Sequence, residues 1–154
     1  MKLNYLAIPY LAILAFMFSS IFTSGGLTWY ESLVLPAWHP SADVIAVIWG
    51  IIYFLGAWSV LILWNTTVRD RALTLILWGF GLMTLLNLVW SIVFFRLHDF
   101  TASVWCAGLL GTFAFMLAVF IHERSPRAAM LLIPYIAWVF FAAYLNYTVA
   151  MLNP

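Results

Sequence analysis

Asn87, Trp90, Ser91 and Phe94 recur at i, i+3, i+4 and i+7 within the oily run "NLVWSIVFF". That spacing stacks them on one face of a helix. An amide, an indole, a hydroxyl and a phenyl ring on one stripe can do two things. They can hydrogen-bond a neighbouring helix, at about 0.6–2 kcal/mol per contact, or they can line a pocket for a flat apolar molecule. Spacing leaves both open. Trp49, Tyr53 and Gly56 repeat the pattern in "WGIIYFLG", with two amphipathic rings over a glycine that lets another surface approach. Further on, Trp138, Ala142 and Leu145 share a face, with Asn146 beside them and Tyr135 one turn earlier.

Other chemistry has little to work with. His39, His98 and His122 lie far apart with no metal-ligand spacing. No Gly-rich phosphate loop and no nucleophile–base pair is present. The lone Cys106 reads as a small apolar packing residue and excludes an intrachain disulfide. No metal and no obligatory cofactor is expected. Any reaction would have to use the chemistry of a bound pigment rather than acid–base machinery.

The elements that carry these residues follow from composition. The chain of 154 residues is 67% hydrophobic and 7% charged. Soluble domains average about 45–50% apolar and about 25% charged. The expected class is therefore an all-α integral membrane protein, a bundle of five transmembrane helices in a single domain. A spanning helix needs about 20 apolar residues. Five runs qualify: roughly Leu3 to Phe22, Val44 to Trp64, Ala72 to Phe95, Ala102 to Ile121 and Ala128 to Leu152. The continuous runs exclude a membrane barrel. Lys2 with Ser24 and Gly25 resembles a cleavage signal only weakly, and the first run exceeds a signal core, so a retained helix is expected.

All eleven charged residues fall outside these runs. Proton relays and voltage sensors put such groups inside the membrane, so a charge-relay transporter is not expected. Lys2, Arg69, Arg71, Arg124 and Arg127 fall on one side and Arg96 alone on the other. Positive-inside bias then puts the N-terminus in the cytoplasm, with the first loop and the C-terminus outside. A net charge of +1 gives no reason to expect nucleic acid. The short polar stretch before the first run leads us to expect a bacterial inner membrane. Trp29, Trp64, Trp78 and Trp105 suit the membrane interface. Trp49, Trp90 and Trp138 suit it less well, because each shares a face with other ring or polar residues. Ser103, Ala107 and Gly111 form a small-residue row. That row, with Gly79 and Gly81, is the candidate dimer face.

Three stretches together carry a family resemblance. "WYESLVLPAWHP" (29–40), "NLVWSIVFF" (87–95) and "PYIAWVFFAAYLNY" (134–147) resemble the signature segments of the tryptophan-rich sensory protein family, the TspO or translocator protein family, also called the peripheral benzodiazepine receptor family. The order and the five-span layout agree over nearly the whole chain. The resemblance implies a homodimer and a ligand pocket lidded by the first loop. It implies binding of porphyrins, notably protoporphyrin IX, and of sterol-like or benzodiazepine-site ligands. It also implies, as an alternative, light- and oxygen-dependent breakdown of protoporphyrin. Carried over residue by residue, Tyr30, Trp38 and Pro40 belong to the lid side. Trp49, Tyr53, Asn87, Trp90, Cys106, Trp138, Ala142 and Leu145 belong to the pocket. Trp49 and Trp138 would be catalytic if photo-oxidation occurs.

The chain departs from the family pattern at Trp38-His39-Pro40-Ser41, where Trp-x-Pro-Pro is usual. His39 is the histidine nearest the lid, so haem handling through an axial ligand is a further alternative. No basic residue follows Tyr147 to complete a cholesterol-recognition pattern, itself a weak motif.

Overall fold

The computed structural model describes residues 3–154. Met1 and Lys2 lie outside the described residues, and with them the contribution of Lys2 to the charge bias. Seven helices follow one another: α1 (Asn4–Ser24), α2 (Leu27–Glu31), α3 (Ala42–Thr66), α4 (Arg71–Phe95), α5 (Phe100–His122), α6 (Pro126–Met130) and α7 (Ile133–Leu152). There is no strand among the described residues. Five helical segments are long and apolar enough to cross a membrane, α6 and α7 together forming the fifth. The protein is an integral membrane protein.

The helices overrun the expected spans. Asp43 and Arg71 sit in first turns and Arg127 within α6, at helix ends rather than in helix interiors. The polar breaks supply the caps. Ser41, Asp70, Asp99 and Ser125 each accept a hydrogen bond from the backbone N–H three residues on. Each cap satisfies an orphan donor at an N-terminus. Pro126 at the start of α6 loses nothing, since its missing N–H would have been unpaired there.

The five spans form a ring. Round it, α1 is followed by α3, then α6 and α7, then α5, then α4, which returns to α1. The α5–α7 and α4–α5 seams are the most extensive, while α3 and α4 barely meet. Ser103, Ala107 and Gly111 all lie buried, and a Cβ on Gly111 would come within 3.0 Å of the Phe140 ring. The small-residue row is thus used within the chain, packing α5 against α7. Gly79 likewise faces Leu117 of its own chain, while Gly81 is exposed and borders a cavity. Four of these five positions pack within the chain, so of the candidate dimer face Gly81 alone stays uncovered.

The core at the basic end is aliphatic: Leu63, Ile76, Leu110, Ile121, Leu132 and Val139 are all but inaccessible. Ser59 donates to the Ala128 carbonyl at 2.8 Å and ties α3 to α6. At the same end Asn4 donates to Asn65 (3.1 Å). Arg124 there makes a two-toothed pair with Asp70, one arm at 3.0 Å. Outward, Trp78 (73% exposed) and Trp105 (70%) stand with a shell of Leu, Ile and Phe. In lipid such exposure costs nothing, because the surroundings are as apolar as the side chains.

Candidate ligand-binding site

The first loop is folded, where the sequence reading has only an aromatic connection. Gly26 lets the chain turn tightly after α1, since any Cβ there would strike Phe95, whose carbonyl oxygen would be 2.7 Å away. The one-and-a-half-turn α2 then lays Tyr30 over Phe94 and Phe95, with ring centroids 5.9 and 6.0 Å apart. Trp29 stacks on His98 at 3.8 Å and meets Phe94 edge-on. His98 is the one positive-φ residue other than glycine among the described residues (φ 53°), a region where histidine is enriched. The α4–α5 turn thereby presents an imidazole face to the loop. At the far end, Asn153 accepts from the Val34 N–H (2.9 Å) and donates to the Val34 carbonyl (3.0 Å). The loop is therefore held at both ends.

Beneath it lies a cavity of about 250 Å³. Phe16, Ser19 and Thr23 of α1, Trp49 and Tyr53 of α3, and Asn87, Trp90 and Phe94 of α4 form three walls. Trp138, Phe141, Ala142, Leu145 and Asn146 of α7 form the fourth, and Tyr30 caps it. Trp49 is 6.0 Å from Trp90, and Trp90 stacks nearly parallel on Phe94 at 6.1 Å. Burial pushes the Tyr30 phenol up to about 12, because a charged phenolate there would lose water.

The polar groups are mostly committed. Asn87 donates to the Tyr135 hydroxyl at 3.4 Å. The Tyr53 and Ser19 hydroxyls meet at 3.3 Å. With the Asn146 amide oriented to satisfy its neighbours, its oxygen accepts from Trp90 Nε1 (2.8 Å) and its nitrogen donates to the Ala142 carbonyl. The exception is Trp138 Nε1, a buried donor without an acceptor among the described residues. A buried polar group left unpaired costs about 1–3 kcal/mol.

Tyr30, Trp49, Tyr53, Asn87, Trp90, Trp138, Ala142 and Leu145 converge on this cavity. Trp38, Pro40 and Cys106 do not border it. Trp38, 44% exposed, stacks on Tyr144 and touches Phe141 from outside. Pro40 precedes the Ser41 cap of α3. Cys106 on α5 packs behind the Tyr30–Trp90–Phe94 cluster. His39 tilts against Tyr30 at 5.9 Å, also outside the lining. No group of three His, Cys, Asp or Glu residues among the described residues could hold a metal ion. The α1 wall is absent from the sequence reading. The paired serines of "FMFSSIF" are the signal that marks it, since Ser19 is the buried one of the two. A second cavity, about 720 Å³, lies toward the basic end. It is larger, but most of the ring-bearing residues singled out from the sequence and the unpaired Trp138 donor gather at the upper cavity, which is therefore the candidate site.

Comparison with known proteins agrees with this architecture. The family model described as TspO/MBR family matches residues 5–152. The chain is 31% identical to the tryptophan-rich protein TspO of Bacillus cereus over 159 aligned positions, covering 99% of both chains. It is 31% identical to that of Chlorobaculum tepidum over 136, covering 88% of this chain and 86% of the other. It is 35% identical to the translocator protein of Bos taurus over 125, covering 79% and 73%. With five spanning helices, an aromatic interior and a match that runs almost end to end, this chain belongs to the TspO/MBR family.

Proposed function

We propose that the protein is a membrane receptor or carrier for porphyrin, with protoporphyrin IX as the reference ligand and other flat apolar molecules as competitors. The observation that carries this reading is the upper cavity itself. Three indoles and two phenols surround it, and one buried donor, Trp138 Nε1, awaits an acceptor. Flat rings supply most of the binding area, and a few polar groups set orientation. The cavity of about 250 Å³ falls below the ~300–1,000 Å³ usual for ligand sites. A macrocycle therefore enters only when the first loop lifts, which makes that loop the lid. The N-terminus and basic end face the cytoplasm and the lid faces outward, following the positive-inside bias. The working assembly is a homodimer in a bacterial inner membrane.

The test is quenching of tryptophan fluorescence by protoporphyrin IX in detergent, in the dark. Saturable quenching is expected. Trp138→Phe keeps a ring and removes the N–H, so affinity should fall about five- to tenfold. Trp138→Ala also removes the ring and should cost more. Unchanged affinity in both variants would remove the pocket from the proposal.

The indoles at the cavity also favour a second reading, in which bound porphyrin absorbs light, activates oxygen and is degraded beside Trp49 and Trp138. Product absorbance that grows only with light and oxygen supports it. Equal loss of porphyrin in the dark without oxygen defeats it.

A further inference from the structure

The porphyrin reading leaves the larger cavity unused. It lies between α1, α3 and α4, beneath Tyr53 and Tyr135, and holds about 720 Å³. Its wall runs along α1 from Leu3 to Ala15, about 18 Å at ~1.5 Å per residue. That is close to the depth of one leaflet, half of the ~30 Å hydrocarbon core.

The wall offers almost nothing polar. Thr84 bonds the Phe80 carbonyl, Tyr53 meets Ser19, and Tyr135 accepts from Asn87. Asn4 at the mouth is paired with Asn65. Arg69 is the lining residue that carries charge. Its guanidinium lies 4.8 Å above the Trp64 ring and donates no hydrogen bond to a described residue. Arg124, by contrast, is engaged by Asp70. An indole face holds a guanidinium in place without neutralising it. The interior is open: a Cβ on Gly56 or Gly81, both on the wall, would meet nothing within 4 Å.

We propose that this cavity is a lipid site that takes one acyl chain of an anionic phospholipid, with the phosphate on Arg69. Length and polarity suit the chain. Because lipid tails are as apolar as the wall, moving a chain from bilayer to cavity provides little selectivity. Selection falls to the head group, where Arg69 favours an anion over a zwitterion. The proposal stands apart from porphyrin binding, since Tyr53 is the one lining residue the two cavities share.

The test is native mass spectrometry of the full chain released from nanodiscs of equal phosphatidylglycerol and phosphatidylcholine. One retained phosphatidylglycerol is expected, favoured about fivefold, the worth of one cation at an anionic surface. Arg69→Gln should bring the two lipids to parity. Gly56→Leu and Gly81→Leu, made separately so that one misfolded variant leaves the other, should abolish retention while melting like the parent. Equal retention by the parent would overturn the proposal, as would a phosphatidylglycerol preference that survives Arg69→Gln. Retention of added palmitate with no retained phospholipid would overturn it in favour of a free fatty acid.

Discussion

Tyr30 and Trp138 divide the work of the upper cavity. Trp138 carries a buried donor with no acceptor among the described residues, the group the proposed ligand would meet, while Tyr30 closes the space above it. The Tyr30 phenol, pushed up to about 12 from an ordinary 10.0 by burial, would link closure of the proposed lid to pH. A raised folded value means that closure is at full strength below 10.0 and weakens as pH rises through about 12. Ultraviolet titration of tyrosinate should therefore yield a parent-minus-Tyr30→Phe difference centred near 12. Tyr30→Phe should keep its ligand affinity through that window while the parent loses affinity. A difference centred at 10.0 would mean that the lid leaves the phenol in water.

At the scale of elements, the first loop, the proposed lid, is a short helix between two anchors. Gly26 and the Tyr30–Phe94–Phe95 contact fix its start, and the Asn153 amide fixes Val34 near its end. The second anchor is exposed, so its two hydrogen bonds are worth less than buried ones. Asn153→Ala should leave the melting temperature nearly unchanged, while porphyrin on- and off-rates both rise severalfold, on the order of 1 kcal/mol in the opening equilibrium. Stopped-flow quenching reads this directly, and unaltered rates would mean that Val34 is held by other contacts. Asp70 serves a different element boundary. It caps α4 through the Leu73 N–H and pairs with Arg124 across two loops. Hydrogen bonding to Arg124 first, and to the Leu73 N–H second, holds its carboxyl below the ordinary 3.8. A lowered folded value means that this contribution is present above 3.8 and is lost as pH falls through the depressed value. Acid melting curves of the parent should show that loss, and Asp70→Asn should lower the melting temperature at neutral pH while flattening the acid limb.

For the whole molecule, the proposed porphyrin reading makes orientation decisive, because it sets which compartment the first loop faces. Cys106 is the single cysteine, so a Cys106→Ser background permits clean labelling. Cysteines introduced at Ser32 and Val68, both exposed and on opposite sides, report the topology. An impermeant maleimide should label Ser32→Cys in intact cells and Val68→Cys only after permeabilisation. The reverse pattern would put the lid in the cytoplasm. The same two-sidedness organises the interior, with an aromatic cavity under the lid and an aliphatic one toward the basic end. Tyr53 borders both and, with Ser19, forms part of the floor between them.

Class, span number and the inward faces of α3, α4 and α7 were legible from residues alone. The physical reason is that lipid forces every backbone group into a helix, so hydropathy counts the spans. Period 3.6 then sorts rings and amides onto faces. Trp49, Asn87, Trp90 and Trp138 were found that way. Helical period says nothing of which helices become neighbours. Only the ring order brought the Ser19 side of α1 against Tyr53, enlisted Asn146 for Trp90 and kept Cys106 behind the wall. It also spent the small-residue row of α5 on α7. Local pattern fixes which face turns inward, but partners far apart along the chain are chosen by packing of the whole bundle, and the two cavities are what that packing leaves open.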